Sequence, residues 1–183
     1  MSFKLTTDRL LLQIEDSSKA RQIQQFYIKN KALFERFEPT RPEQFYTMEF
    51  QTASIDYEYN EIIKGKSLRY YVYQKKDPDT LIGIVNFSRM EHGPFSCASI
   101  GYKFDTDYHG NGYAFEACQA AISVIFYNYK IHRIEARVAP DNIPSIKLLE
   151  RLGFSFEGIE YKSVEVMGTF RDHYRYGLIS TIQ

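Results

Sequence analysis

Residues 107–117 have the sequence DYHGNGYAFEA, which places two glycines, Gly110 and Gly112, directly before a run with helical periodicity. Apolar residues then recur at helical spacing and predict a helix over 112–129. Glycine lets the backbone come close to a ligand because it has no Cβ atom. The N–H groups of a first helical turn and the helix dipole also attract anions. Two interpretations are open at this point: an anion rests on the start of the helix, or the glycines form a tight turn between strand and helix.

Two familiar phosphate-binding motifs do not fit this stretch. A P-loop needs a glycine, four residues and then Gly-Lys-Ser/Thr, and here neither the lysine nor the hydroxyl is in place. A dinucleotide fingerprint finds Gly110, Gly112 and a strand glutamate, Glu135, but its third glycine would fall at Phe115. A pyrophosphate loop of a different kind requires no lysine, since its donors are main-chain N–H groups. That interpretation stands beside the simple turn.

The rest of the chain predicts one α/β domain over residues 1–183, with a mixed sheet. Short turns separate the strands of the first half, which is typical of an antiparallel meander, whereas strands and helices alternate after the glycine pair. We predict strands over 10–14, 68–74, 81–90, 97–104, 132–138, 154–166 and 173–180, and helices over 19–29, 31–37, 46–63, 112–129 and 143–152.

The composition argues against several classes of function. Lysine plus arginine and aspartate plus glutamate each number 23, so the overall charge favours neither a nucleic-acid nor a membrane partner. The N-terminus has no apolar signal-peptide core, and no later run approaches the length of a membrane span. Cys97 and Cys118 lack the spacing of a zinc site, so no metal is predicted, and a cytoplasmic protein with reduced thiols is expected.

Several motifs, in order along nearly the whole chain, resemble one superfamily. HGNGYA is similar to the Q/R-x-x-G-x-G/A loop of the GCN5-related N-acetyltransferases, the GNAT superfamily, with His109 where Gln or Arg is usual. APDNIPSIKLLERLGF resembles its second signature. TDRLLL, IGIVNFS and GTFRDHYRYGLI are similar to the RimJ/RimL branch, which acetylates N-terminal amines of ribosomal proteins, and LFERFEPTRPE leans towards RimJ. The resemblance implies a GNAT fold: a central mixed, mostly antiparallel sheet splayed between two parallel strands and flanked by helices.

The resemblance also implies acetyl-CoA as cosubstrate and a set of residues around it. Pantetheine would lie between the splayed strands, along the backbone of 102–104, where a main-chain N–H would polarise the thioester carbonyl. Asn142 would hydrogen-bond pantetheine and Ser145 would lie near the sulfur, although a helix cap explains both residues as well. His109 likewise fits either a phosphate contact or a helix start. The expected cofactor-binding residues are Tyr102, Lys103, Phe104, His109, Gly110, Asn111, Gly112, Tyr113, Ala114, Asn142, Ser145, Lys147 and Arg151, the last two beside the 3′-phosphate.

Two catalytic groups that are common in the superfamily are absent from the matching positions of this chain. Many superfamily members place a tyrosine acid four residues after Ser145, where this chain has Leu149. Ser145, with Asn142 beside it, is then the expected group at the leaving thiolate. The position of a glutamate base in many relatives is Ser99, so Glu38 becomes the candidate base, with an ordered water chain as the alternative. No role is assigned to His92, His132 or His173, and Arg41 is expected to pair with the acceptor.

The predicted function is direct acetyl transfer from acetyl-CoA to a primary amine, with no covalent enzyme intermediate. The preferred acceptor is the N-terminal α-amine of a ribosomal protein. A small amine such as a polyamine or an aminoglycoside is the alternative acceptor. A module that binds acyl-CoA without catalysis is the alternative from another class, because the usual acid is absent and the base is undetermined.

Overall fold

A computed structural model describes residues 3–181 as a sheet with helices on both faces. Eight strands form this sheet in the order β1-β2-β3-β4-β5-β6-β8-β7. The strands are β1 Lys4–Thr6, β2 Leu10–Gln13, β3 Leu68–Gln74, β4 Asp77–Glu91, β5 Cys97–Phe104, β6 Arg133–Val138, β7 Ser155–Val166 and β8 Thr169–Ile179. The helices are α1 Ala20–Lys29, α2 Lys31–Phe37, α3 Met48–Ile63, α4 Tyr113–Tyr127 and α5 Ile143–Arg151.

Most boundaries agree with the sequence patterns, and β3, β5 and α2 have the predicted limits. Two strands begin earlier than predicted because their hairpin turns are shorter. β4 starts at Asp77, which pairs with Gln74, so that a two-residue turn joins β3 to β4. β8 starts at Thr169, which pairs with Val166, and the turn is limited to two residues. The short edge strand β1 is not predicted by the sequence patterns.

The sheet opens between β5 and β6, its one parallel pair within residues 3–181. The ladder between them joins only Cys97–Ser99 to Arg133–Glu135. Beyond it β5 continues to Phe104 along β4, and β6 continues to Val138 along β8. The facing edges of 100–104 and 136–138 therefore separate, and a parallel sheet edge without its partner leaves main-chain groups available to a ligand. The splayed pair implied by the family resemblance is confirmed.

Two hydrophobic cores cover the two faces of the sheet. Tyr70 and Val72 of β3 pack in the core under α4 and α5, whereas Tyr71 and Tyr73 pack in the core under α1 and α2. Such alternation places neighbouring strand residues on opposite faces. The predicted apolar stripe of α4 is confirmed: Ala117, Ala121 and Ile125 are fully buried, and Ala114 is half-buried. Burial of Ile125 alone stabilises the fold by about 1.5–3 kcal/mol.

No helix formed by residues 3–181 combines the length and the apolar character needed to span a bilayer.

Candidate active site

The gap between β5 and β6 is part of a cavity of about 1030 Å³. Residues 100–104 of β5 form one wall and residues 136–139, at the end of β6, form the other. On the α4/α5 face the lining continues through the glycine loop and the first turns of both helices. On the α2 face it continues through residues 33, 34 and 36–38. The cavity therefore joins the two faces of the sheet, and we call these parts the loop side and the α2 side.

The glycines of the loop adopt a backbone that other residues rarely take. Gly110 has φ 76° and Gly112 has φ 77°, both in the left-handed region. An L-residue pays roughly 1–2 kcal/mol there, so the backbone alone accounts for both glycines. Gly112 is also the N-cap of α4 and forms no side-chain capping bond, unlike Asn142 at α5. The first-turn N–H groups of α4 are therefore not capped by a side chain, as an anion site requires.

The side chains of His109 and Asn111 hold the loop in shape. His109 lies 3.0 Å by its Nε2 atom from the Phe104 carbonyl oxygen, to which it donates a hydrogen bond. Asn111 donates from its amide to the carbonyl of His109 at 3.1 Å. Residue 111 does not belong to the cavity lining, whereas Gly110, Gly112 and their neighbours do. The geometry thus favours a loop-shaping function for Asn111 over the predicted cofactor contact.

A carboxylate in the first turn of α4 ties the N-terminal segment to the loop. Glu116 accepts hydrogen bonds from the Thr7 hydroxyl at 2.6 Å and the Arg9 main chain at 2.9 Å, and it pairs with the Arg9 guanidinium at 2.7 Å. Arg9 also donates to the Asn111 carbonyl at 3.0 Å. The sequence identifies TDRLLL only as a family motif. The structure shows that its Thr7 and Arg9 bind Glu116 at the start of α4.

Substitution of Glu116 by glutamine is expected to destabilise the protein in a pH-dependent way. Burial would raise the pKa of Glu116, but the bonds from Thr7 and Arg9 outweigh it and hold the pKa below its ordinary value. A carboxylate with a lowered folded-state pKa stabilises the protein above the unfolded value near pH 4.3, and this contribution is lost as pH falls. We expect E116Q to lose about 1 kcal/mol at neutral pH, or about 2–4 °C in Tm.

Thermal unfolding of wild type and E116Q at neutral pH and near pH 3 checks this expectation. The difference in Tm should close at the acidic pH. The matched control is E43Q, which removes an exposed carboxylate paired with Lys31. It should change Tm little at either pH. An E116Q deficit that persists near pH 3 would contradict a charge-based role.

The start of α5 brings a tyrosine to the predicted catalytic serine. Asn142 caps the helix, accepting a bond from the Ser145 N–H at 3.3 Å. The Ser145 hydroxyl lies 2.8 Å from the Tyr102 hydroxyl, which is also 3.3 Å from the Ser145 carbonyl oxygen. Burial raises the pKa of Tyr102, so its phenol stays protonated. When the phenol donates to Ser145 Oγ, the serine proton is free to bond another acceptor in the cavity.

The predicted base Glu38 is held by two cations. Its Oε2 atom lies 2.5 Å from Arg41 Nη2 and 2.5 Å from Lys103 Nζ. Burial would raise the pKa of Glu38, but these two charges outweigh it and keep the pKa below its ordinary value. A carboxylate so stabilised is a poor proton acceptor. The geometry therefore argues against Glu38 as the general base. It pairs Arg41 with Glu38 through Nη2, while Nη1 of Arg41 has no hydrogen-bond partner among the described residues.

Two basic residues of α5 border the loop side of the cavity. Lys147 and Arg151 both belong to its lining, as predicted from their place on the helix. Arg151 lies over the ring of Phe115 in α4, with its guanidinium carbon 3.9 Å from the ring centroid. This stacking fixes the guanidinium between the two helices while its N–H groups remain at the surface.

His173, which the sequence analysis leaves without a role, is the unexpected member of the cavity wall. It lies on β8 and is 4% exposed. Strand β8 reaches the cavity because it pairs with β6 up to Val138, beside the gap. No local sequence signal separates this histidine from His92 or His132, since only the sheet order brings it there.

Known proteins with the same sequence features and fold are acetyltransferases. A family model described as an acetyltransferase (GNAT) domain matches residues 9–155. The chain is 34% identical to the [ribosomal protein uS5]-alanine N-acetyltransferase of Escherichia coli (strain K12), over 93% of this chain and 87% of that protein.

Two solved structures show the same architecture. The ribosomal-protein-S5-alanine acetyltransferase of Vibrio fischeri superposes with a TM-score of 0.94 at 26% identity, covering 99% of this chain and 98% of the other. Mycobacterium smegmatis RimJ in complex with CoA-disulfide has a TM-score of 0.87 at 24% identity, covering 95% and 84%, and this second likeness shows the fold alone.

Proposed function

The chain belongs to the GNAT family of N-acetyltransferases, and from that premise we propose that it transfers the acetyl group of acetyl-CoA directly to the N-terminal α-amine of a ribosomal protein. The observation that carries the proposal is the single cavity that joins the glycine loop to the α2 side through the opened sheet. A cofactor on one side and an amine on the other can meet only in that gap.

The loop side has the chemistry that coenzyme A requires. Main-chain N–H groups at the start of α4 suit the pyrophosphate, and no side chain caps them. Lys147 and Arg151 suit the 3′-phosphate. The free edge of β5 over 102–104 suits pantetheine, which would bond to it as an added strand. The M. smegmatis structure, solved with a coenzyme A disulfide, has this fold.

The reaction needs no enzyme nucleophile. The amine nitrogen attacks the thioester carbonyl carbon, whose oxygen a β5 main-chain N–H stabilises, and the C–S bond then breaks. The Ser145 hydroxyl, with Tyr102 donating to it, would hydrogen-bond the departing thiolate. Burial raises the pKa of both Cys118 and Cys97, so neither is a thiolate suited to nucleophilic attack. These thiols support direct transfer.

The charges on the α2 side favour a peptide N-terminus over a polycation. Glu38 and Asp141, the two described carboxylates of the cavity lining, are paired with Lys103 and Arg171 respectively, and Glu38 also with Arg41. A polyamine would need unpaired carboxylates for each of its ammonium groups. The E. coli relative named above acts on the alanine of a ribosomal protein, which agrees with this balance.

A panel of acceptors tests the proposal. Purified protein, acetyl-CoA and a thiol reagent are combined with peptides that begin with alanine or serine, with spermidine and with an aminoglycoside. We expect kcat/KM for the best peptide to exceed that for every small amine by about tenfold or more. Higher kcat/KM with spermidine would replace the peptide by a small amine. Binding of acetyl-CoA without release of thiol to any acceptor would instead indicate a non-catalytic module.

A further inference from the structure

We propose that His173 is the general base that takes a proton from the acceptor's ammonium group. This inference rests on the proposed function, because it names the proton acceptor for that same reaction. The reaction requires one: an ammonium nitrogen has no lone pair with which to attack the thioester.

The strand register places His173 on the acceptor side of the sheet. Arg137 pairs with Arg175, and Val138 pairs with Tyr174, between β6 and β8. Val138 and Tyr174 pack in the core under α4 and α5. His173, one residue before Tyr174, therefore lies on the opposite face, which is the face of α2. It belongs to the same cavity wall as residues 136–139, so it borders the gap through which the acetyl group must pass.

The hydrogen bond of His173 leaves its second ring nitrogen basic. Nδ1 lies 3.3 Å from the carbonyl oxygen of Arg171. A carbonyl only accepts, so Nδ1 carries the proton and a neutral ring has its lone pair on Nε2. Within residues 3–181 no side chain or main-chain group hydrogen-bonds Nε2. The backbone thus fixes the tautomer that a base needs.

The charged groups around this ring already have partners. Asp141 lies 3.2 Å from Arg171, and Glu160, opposite His173 on β7, pairs with Arg137 at 2.7 Å. Arg175 lies near Glu135, and Glu38 across the cavity pairs with Lys103 and Arg41. Arg36 of α2 stacks on Phe37. Among the described residues that line the α2 side, His173 is the proton acceptor not engaged with a cation.

The chemistry of imidazole suits an α-amine in particular. A peptide α-amine titrates in general near 7.7–8.0, so a neutral base beside it can take its proton at moderate cost. A lysine-like amine, near 10.4, is about 2.5 units harder to deprotonate. Nε2 takes one proton from the ammonium, and the neutral amine attacks. The second proton, lost from nitrogen as the C–S bond breaks, ends on the thiol, and the imidazolium returns its proton to solvent.

The test compares the wild type with H173N. The asparagine amide reproduces the Nδ1–H bond to the Arg171 carbonyl but supplies no base. At about pH 7, where about a tenth of an α-amine is already neutral, kcat/KM for an alanine-initiated peptide should fall about tenfold, with acetyl-CoA affinity within about twofold of wild type. At about pH 9.5, where the α-amine is already neutral, the deficit should shrink to within about threefold. H132N, at an exposed histidine before β6, is the matched control and should behave as wild type.

Each outcome decides something different. A pH-independent loss in H173N, or activity equal to wild type at about pH 7, overturns the assignment of His173 and leaves the proposed function standing. No acetyl transfer by the wild type to any amine overturns both. H173Q provides a second variant without a base, in case H173N does not bind acetyl-CoA. The kcat/KM of H173Q should likewise approach that of the wild type at high pH. If it does not, the assignment of His173 is also overturned.

Discussion

Replacement of Ser145 by alanine is expected to lower kcat about 100-fold while changing the KM for acetyl-CoA by less than about threefold. In the proposed mechanism the hydroxyl bonds the sulfur most strongly when the thiolate has formed. The capping bond from the Ser145 main chain to Asn142 survives the substitution. Stability should therefore change little, and loss of activity cannot be assigned to loss of the helix start.

Tyr102→Phe removes the hydroxyl that hydrogen-bonds Ser145. We expect kcat to fall about tenfold in the wild-type background and not at all in the S145A background, since Tyr102 acts through Ser145. Steady-state kinetics of the four proteins, with calorimetric titration of acetyl-CoA, gives the coupling. An S145A protein with wild-type kcat would exclude the catalytic role of the hydroxyl. Additive losses would show that Tyr102 acts by another route.

Gly112→Val is expected to weaken acetyl-CoA binding by at least tenfold, or about 1.4 kcal/mol. A branched side chain at this N-cap would occupy the proposed pyrophosphate site at the start of α4. Valine is also strained at the positive φ of Gly112 whether or not a ligand binds, so some loss of stability is expected with it.

A control variant at a second glycine distinguishes the effect of backbone strain from the loss of the ligand site. Gly65, after α3, has φ 71°, and a Cβ there would meet no atom within 4 Å. It lies outside the cavity lining. G65V should lose a similar amount of stability, about 1–2 kcal/mol, and keep wild-type affinity for acetyl-CoA. Calorimetric titration of acetyl-CoA into both folded variants tests this prediction. Equal affinities of G112V and G65V for acetyl-CoA would place the pyrophosphate elsewhere.

The sequence by itself determined the family, the positions of the elements and the place of the loop. The glycine pair, the apolar stripe after it and the turn residues between strands are local signals, and they depend on helix and strand periodicities that hold in any fold. Thus the limits of α2, β3 and β5 and the inner face of α4 agree with expectation. Motif order along the chain was sufficient for the GNAT assignment.

The tertiary structure alone decided which side chains meet. Tyr102 and Ser145 are 43 residues apart, Lys103 and Glu38 are 65 apart, and Arg9 and Glu116 are 107 apart. These contacts follow from strand order, from the separation of β5 and β6 and from the face on which each strand residue falls. A one-residue change of register would reverse that face, and no local pattern encodes it across such separations. For the same reason the sequence does not single out His173, which borders the cavity because β8 pairs with β6.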